Sequence, residues 1–117
     1  MFLQLSHSGL DVYTCSRQLV LACYNLSKGF PAEERYGLVQ QIRRAATSVT
    51  LNLAEGCSRK SLVERKRYFE ISRGSVIEID SILDLIHDLA YFKKEELLPT
   101  GELLLRSFKM LSSMMNT

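Results

Sequence analysis

Proline and glycine are scarce in this chain, and tryptophan is absent. Only two prolines and six glycines interrupt 117 residues, of which 46% are hydrophobic and 24% are charged. Because proline and glycine punctuate turns, their scarcity favours a few long helices over many short strands. The balance of apolar and charged residues is typical of a globular protein and excludes a disordered chain. We therefore predict one domain over residues 1–117.

Cysteine is too sparse to define a structural framework. The chain has three, an odd number, and none forms a C-x-x-C pair. This pattern argues against a disulfide framework and against a zinc site, and it indicates a reducing, cytoplasmic environment. Cys15 and Cys23 lie two helical turns apart and are expected to be buried thiols. Cys57 follows a glycine in a predicted loop, where we expect it to be exposed.

Long apolar runs and catalytic motifs are also missing. No apolar run approaches the ~20 residues that cross a bilayer, and MFLQLSHSGL has neither the basic region nor the apolar core of a secretion signal. We expect no membrane partner. The chain lacks P-loop, G-x-S-x-G and H-E-x-x-H motifs, and His7 and His87 are far apart. We therefore expect a protein that is not an enzyme, with no metal and no cofactor.

Apolar periodicity predicts four helices, over residues 9–28, 31–56, 61–91 and 99–115. In each segment the apolar residues alternate steps of three and four, which places them on one helical face. The connections between the segments are short. Short connections between helices with one apolar face indicate an all-α fold, an antiparallel up-down-up-down four-helix bundle. The apolar stripe of the third helix is wider than one core needs, which predicts a homo-oligomer.

Capping residues define the predicted helix ends. Ser8 and Asp11 resemble a capping box at the first helix, and Ser61 and Glu64 form one at the third. Pro99 marks the predicted start of the last helix, since proline is tolerated in the first turn and disrupts a helix interior.

Basic residues concentrate around the predicted start of the third helix, whereas residues 74–91 carry four acids and no Lys or Arg. This order opposes the helix dipole. One interpretation is a surface that contacts the phosphates of RNA or DNA. The alternative is a solvated end that pairs with acids on a neighbouring helix or subunit. The candidate nucleic-acid-binding residues are Arg43, Arg44, Arg59, Lys60, Arg65, Lys66 and Arg67.

A polar stripe runs beside the apolar stripe of the second helix and has a counterpart around Gly74 in the third. Glycine inside a helix costs ~1 kcal/mol relative to alanine, so we expect close packing there. We predict a polar packing network with a buried Glu55–Arg73 ion pair at its centre. Separate exposure of each side chain is the alternative. The predicted network comprises Gln41, Ser48, Asn52, Glu55, Arg73, Ser75 and Glu78.

Two stretches carry a resemblance to a known family. FPAEERYGLVQQIRRAATSVTLNLAEGCSR and YFEISRGSVIEID resemble the bacterial 23S rRNA intervening-sequence proteins, to which the accessory variability protein of diversity-generating retroelements is related. The resemblance covers residues 12–115. The features that match are Phe30-Pro31, Glu34, Tyr36, Leu38, Gln41, Arg43-Arg44-Ala45-Ala46, Ser48-Val49, Asn52, Ala54-Glu55-Gly56, Arg59, Phe69, Arg73-Gly74-Ser75 and Glu78.

The resemblance implies an assembly and a class of function. It implies a four-helix bundle that forms a homopentameric barrel, without catalytic residues. Retroelement members act with a reverse transcriptase and bind nucleic acid through a basic surface, so RNA, DNA and a reverse transcriptase are implied partners. Two functions remain open: a nucleic-acid-associated accessory or scaffold protein, and an interaction module whose polar stripe serves only self-assembly.

Overall fold

The protein is all-helical in its computed structural model, which describes residues 1–116. The helices are α1 (Asp11–Ser27), α2 (Leu38–Ser58), α3 (Leu62–Asp88) and α4 (Lys94–Met115), and a short 3-10 turn at Ala32–Glu34 precedes α2. The described residues contain no strand. Each helix packs against two neighbours, in the cyclic order α1, α2, α3, α4. The predicted four-helix bundle is confirmed.

The predicted apolar stripes form the core of the bundle. In α2 the buried face consists mainly of Ile42, Ala45, Val49 and Leu53, the residues that the three-and-four spacing places together. None of these four side chains is more than 3% exposed. Across residues 1–116 no helix has both the length and the apolar character needed to span a bilayer.

The second helix begins later than its proline predicts. Pro31 has extended backbone angles, and α2 starts only at Leu38, after Gly37 at φ −112° and ψ −108°. These angles lie outside the helical region, so Gly37 interrupts any helix that Pro31 could begin. The Glu34 carboxylate then accepts a hydrogen bond from the Leu38 backbone N–H at 3.3 Å. It thereby satisfies one of the free N–H groups at the start of α2.

The cap of α3 is as predicted, and that of α1 is not. The Ser61 hydroxyl accepts a hydrogen bond from the Glu64 N–H at 3.0 Å, so Ser61 is the N-cap of α3. Ser8 instead accepts from the Leu5 N–H, at 3.2 Å, and donates to the Leu3 carbonyl. It stabilises a turn that precedes α1, so the Ser8–Asp11 capping box was a wrong prediction.

The last helix starts at Lys94, five residues before Pro99, which the sequence predicts in its first turn. The Glu96 carboxylate accepts a hydrogen bond from the Lys93 N–H at 2.8 Å and stabilises this earlier start. Pro99 therefore lies inside α4, where it removes the hydrogen bond to the exposed Glu95. Water can replace the lost partner of that carbonyl because the residue is on the surface.

The third helix ends in a Schellman motif. The Tyr91 N–H bonds to the Ile86 carbonyl and the Ala90 N–H bonds to the His87 carbonyl, each at 2.9 Å. Ala90 has φ +62°, the left-handed conformation in which the Cβ of an L-residue is strained. Glycine is the residue that usually occupies this position.

Replacing Ala90 by glycine is expected to stabilise the protein. The exchange removes a left-handed strain of about 1 kcal/mol, part of which the greater freedom of glycine in the unfolded chain offsets. We expect the denaturant midpoint of Ala90→Gly to rise and that of Ala90→Val to fall, since a β-branched residue is disfavoured at positive φ. A lower midpoint for Ala90→Gly would contradict the assignment of this motif.

One hydrogen bond joins the two connections at this end of the bundle. The Tyr91 hydroxyl donates to the Glu34 carboxylate at 2.7 Å. This hydrogen bond, followed by desolvation, raises the pKa of Tyr91 to about 12. Nearby, the rings of Phe30 and Phe92 meet edge to face at 5.7 Å. Glu34 therefore both caps α2 and fixes the connection between α3 and α4.

All three thiols lie inside the bundle. Cys15 and Cys23 are buried as predicted, and burial raises the pKa of Cys23 to about 12. Cys57 is also buried, because α2 continues through Ser58 and the expected exposed loop does not exist. Its pKa is raised by burial, an effect that the positive charge of Arg65 partly opposes.

Candidate nucleic-acid interface

The basic cluster, defined as Arg59, Lys60, Arg65, Lys66 and Arg67, surrounds the tight turn between α2 and α3. A glycine allows the two helices to approach here. A Cβ added to Gly56 would lie 2.7 Å from the ring of Phe69 and 3.1 Å from the Cβ of Tyr68. The close approach of the two helices therefore depends on the absence of a side chain at Gly56.

Arg65 acts mainly as a structural member of the basic cluster. Its guanidinium donates to the backbone carbonyls of Cys57, at 2.9 Å, and Arg59, at 3.3 Å. The same group lies over the Phe69 ring at 5.7 Å. These contacts place a positive charge against the carbonyl end of α2, where it is favourable. Arg65 therefore fixes the turn, and its N–H groups are less available to a phosphate.

Tyr68 lies against two arginines of the cluster. Arg59 donates to the Glu55 carboxylate at 2.9 Å and to the Tyr68 hydroxyl at 3.1 Å, and it lies 4.9 Å from the centre of the Tyr68 ring. Arg67 lies 5.7 Å from the same ring and pairs with Glu64 at 3.6 Å. Both ion pairs are on the surface, where such pairs contribute at most ~1 kcal/mol. Phosphates can therefore compete for these arginines.

Lys60 and Lys66 are the freest cations of the cluster. Both are exposed, and neither forms an ion pair with another residue in the range 1–116. The five cations outnumber the three carboxylates closest to them in sequence, Glu55, Glu64 and Glu70, so these eight side chains carry a net charge of +2. A surface of this charge attracts polyanions in a salt-dependent manner.

Arg43 and Arg44 do not join the basic cluster. They precede Arg59 by more than four turns of α2, which separates Arg43 from Arg59 by ~24 Å at about 1.5 Å per residue. The Arg43 Nε donates to the Ser27 hydroxyl at 2.8 Å, and its guanidinium lies over the Tyr24 ring at 4.8 Å. Arg43 thus links α2 to α1, whereas Arg44 is exposed on the outer face of α2.

Part of the predicted polar network forms, within α2 and between α2 and α3. Ser75 donates to the Ser48 hydroxyl at 2.8 Å, and the Asn52 amide donates to the hydroxyl and carbonyl of Ser48 at 2.9 and 3.0 Å. At 3.5 Å, Gln41 donates weakly to the Glu78 carboxylate. The polar stripe is therefore a contact between two helices of the same chain.

The predicted Glu55–Arg73 ion pair was wrong. Glu55 is half exposed and pairs with Arg59, one turn away on the surface. Arg73 points toward α4, where it donates to the Ser112 hydroxyl at 3.1 Å and lies 5.6 Å from the ring centre of Phe108. Gly74 is exposed, and a Cβ there would meet nothing within 4 Å. Close packing does not explain this glycine.

Other polar contacts between helices were not predicted. Thr50 donates to the hydroxyl of Ser16 at 3.1 Å, which links α2 to α1. The Cys15 thiol and the Ser107 hydroxyl are 3.4 Å apart in the contact between α1 and α4. In the sequence, these contacts were indicated by Ser and Thr residues at positions expected to lie in the core. Their partners are distant in sequence and could not be paired from periodicity alone.

Within residues 1–116, no group of three or more His, Cys, Asp or Glu side chains is close enough to hold a metal ion. His87 lies 3.9 Å from Asp88 on the exposed surface. The candidate site is the charged surface at the turn between α2 and α3.

Comparison with protein families is consistent with this architecture. A family model described as 23S rRNA-intervening sequence protein matches residues 8–113, nearly the whole chain. The chain belongs to the 23S rRNA-intervening sequence protein family. The resemblance predicted from the motifs of α2 and α3 is thereby confirmed. No curated protein matches the chain significantly.

A solved structure supports the fold of this 23S rRNA-intervening sequence protein. It is a protein of unknown function from the S23 ribosomal protein family of Bacteroides thetaiotaomicron. The two structures align with a TM-score of 0.83 at 22% sequence identity, over 91% of this chain and 99% of the other. At this identity the likeness establishes the fold alone.

Proposed function

We propose that this member of the 23S rRNA-intervening sequence family is a non-enzymatic, cytoplasmic scaffold that binds RNA or DNA. The observation that carries the proposal is the basic cluster, in which five cations outnumber three nearby carboxylates and Lys60 and Lys66 form no ion pair within residues 1–116. Phosphate contacts supply most of the affinity of proteins that bind nucleic acid without sequence specificity. The family resemblance extends the proposal to a reverse transcriptase as a protein partner.

The proposed assembly is a homopentameric barrel of antiparallel bundles, as the family resemblance implies. Two contacts support the antiparallel arrangement: Ser16 meets Thr50, and Ser27, further along α1, meets the earlier Arg43 of α2. A ring of copies repeats the basic cluster around one face. Such repetition raises the effective concentration of binding sites along a nucleic acid.

Reversing the two free lysines is expected to abolish most nucleic-acid binding. For the wild type we expect the logarithm of affinity to fall linearly with that of salt concentration. The slope should become shallower by about 1.4 in Lys60→Glu/Lys66→Glu with single-stranded RNA, and by about 1.8 with duplex DNA, if each lysine contacts one phosphate. Fluorescence anisotropy with a labelled oligonucleotide, over a series of salt concentrations, measures both the affinity and the slope of its salt dependence.

The matched control reverses two exposed lysines at the opposite end of the bundle. Lys28→Glu/Lys94→Glu changes the total charge of the chain by the same amount but leaves the basic cluster intact. We expect it to bind nearly as well as the wild type. Equal losses in both variants would show that only total charge matters. A wild type that binds neither RNA nor DNA at low salt would rule out the nucleic-acid role.

A second candidate is an interaction module that assembles without nucleic acid. Large aliphatic side chains on outer faces of the bundle favour it, and these are Leu21, Leu51, Ile77 and Leu105, each more than half exposed. Exposed apolar side chains that cluster commonly mark contacts between proteins. If the wild type assembles but binds no nucleic acid, this second function is the one that remains.

A further inference from the structure

We infer that Tyr68 and the two arginines beside it form a surface on which an unpaired base stacks, so that the basic cluster takes single-stranded nucleic acid as its ligand. The inference rests on the function proposed above and specifies the kind of nucleic acid. Single strands and duplexes both carry phosphates, so lysines that bind phosphate do not identify the strand type. A side chain that contacts the face of a base does, because stacking within a duplex covers that face.

Tyr68 lies at the turn between α2 and α3, where its ring is partly accessible to solvent. It is only half buried, whereas the neighbouring Phe69 is 3% exposed. A Cβ added to Gly56 would lie 3.1 Å from the Cβ of Tyr68, so the start of this side chain rests directly against α2. The helix contact therefore fixes the position of the ring without burying it.

Two guanidinium groups lie against the Tyr68 ring. That of Arg59 is 4.9 Å from the ring centre and that of Arg67 is 5.7 Å from it. Both distances are within the range of cation–π attraction, about 6 Å. Among the residues from 1 to 116, no other ring has two guanidinium groups over it. Because a guanidinium group is planar, a base stacks on it as well as on an aromatic ring.

Polar contacts hold the two arginines in place and still leave them accessible. Arg59 donates to the Tyr68 hydroxyl and to Glu55, and Arg67 pairs with Glu64. The side chains of Arg59 and Arg67 are nevertheless 43% and 65% exposed. The stacking surface therefore exists before a ligand binds, which lowers the conformational entropy that binding costs.

The free lysines of the basic cluster flank this surface in the sequence. Lys60 follows Arg59, and Lys66 directly precedes Arg67. A phosphate bound by either lysine brings the neighbouring bases of the same strand close to Tyr68. The arrangement combines a charged surface for the backbone with a stacking surface for a base, which is how proteins bind single strands without sequence preference.

Comparing strands with and without bases tests the inference on the wild type. Labelled oligo(dA) and an abasic DNA strand of the same length carry the same phosphates and differ only in their bases. Fluorescence anisotropy should find oligo(dA) bound more tightly by about fivefold or more, the effect of one stacked base. Because stacking releases no counterions, this ratio should stay constant as rising salt weakens the binding of both strands.

Tyr68→Leu removes the aromatic face and keeps an apolar side chain. It should lower the ratio to near one, because the ring that orients both guanidinium groups is gone. Its affinity for the abasic strand and for duplex DNA should equal that of the wild type. Tyr68→Phe keeps the ring and should retain most of the ratio. Circular dichroism should show that both variants are as helical as the wild type.

Tyr36→Leu is the matched control. Tyr36 is 79% exposed and has the guanidinium of Arg35 5.6 Å from its ring centre, but it precedes α2 and so lies at the other end of that helix from the basic cluster. This variant should bind both strands as the wild type does. An equal loss of the ratio in Tyr36→Leu would contradict a stacking surface at Tyr68.

Oligo(A) RNA distinguishes the two sources of a single strand. A base presents the same faces on ribose and on deoxyribose, so Tyr68→Leu should weaken RNA binding by the same factor. A loss confined to one of the two sugars would contradict recognition through base faces. Equal binding of oligo(dA) and the abasic strand by the wild type, or a ratio that Tyr68→Leu leaves unchanged, overturns this inference alone. A wild type that binds no strand at low salt also removes the proposed nucleic-acid function.

Discussion

Leu53→Ala is expected to lower the free energy of unfolding by about 2–5 kcal/mol, the largest effect predicted for a single substitution in this chain. Leu53 is fully buried in the second half of α2 and belongs to the apolar core that all four helices share. Truncation removes buried methyl and methylene groups and leaves a cavity that rigid neighbours fill only in part. Denaturant unfolding, monitored by circular dichroism, measures the loss.

Leu62→Ala is the control for this experiment. Leu62 also lies on a helix, but it is 65% exposed, so the same truncation should change the free energy of unfolding by no more than ~0.5 kcal/mol. Protein concentration is held constant, because assembly contributes to the measured stability. Similar losses at the two positions would mean that Leu53 is not a core residue or that Leu62 lies in an unrecognised contact.

Gly56→Ala is expected to destabilise the protein by about 1–3 kcal/mol. The added Cβ would lie 2.7 Å from the buried ring of Phe69, so the ring or the helix backbone must move. This overpacking outweighs the intrinsic preference of helices for alanine over glycine. The shift should also disturb the basic cluster, whose turn between α2 and α3 depends on this close approach.

The same exchange at Gly74 should have the opposite effect on stability. A Cβ at Gly74 meets nothing within 4 Å, so Gly74→Ala should gain about 0.5–1 kcal/mol from helix propensity and from a less flexible unfolded chain. Comparing the two glycine variants separates steric clash from propensity within one protein. If both variants are stabilised, the contact between Gly56 and Phe69 is looser than described.

Sequence periodicity was sufficient to predict the helices and their buried faces, but it predicted the helix ends less well. A stripe such as Ile42, Val49 and Leu53 depends only on the constant rotation from one helical residue to the next, which is a local property of the backbone. The start of α2 depends on the unusual backbone angles of Gly37, and the start of α4 depends on the bond from Lys93 to Glu96. A single local contact of this kind can determine where a helix begins, even where a nearby proline predicts a different first residue.

The partners of the small polar residues were easier to predict from the sequence than those of the long charged residues. Spacing placed Ser48 and Ser75 together correctly, because small side chains on facing helices have few other partners, whereas Asn52 bonds to Ser48 on its own helix. Long charged side chains have many possible partners within reach, so spacing could not decide theirs. Glu55 pairs with Arg59 on its own helix, and Arg73 extends to Ser112 on the next.

The buried thiols give this protein a practical advantage in labelling experiments. Thiol reagents attack the thiolate, and burial both covers Cys15, Cys23 and Cys57 and raises the pKa of the last two. A cysteine introduced on the surface should therefore react with a maleimide dye long before the native residues do. Donor and acceptor dyes attached in this way to separate copies could report subunit exchange by energy transfer, in a chain that keeps all its native cysteines.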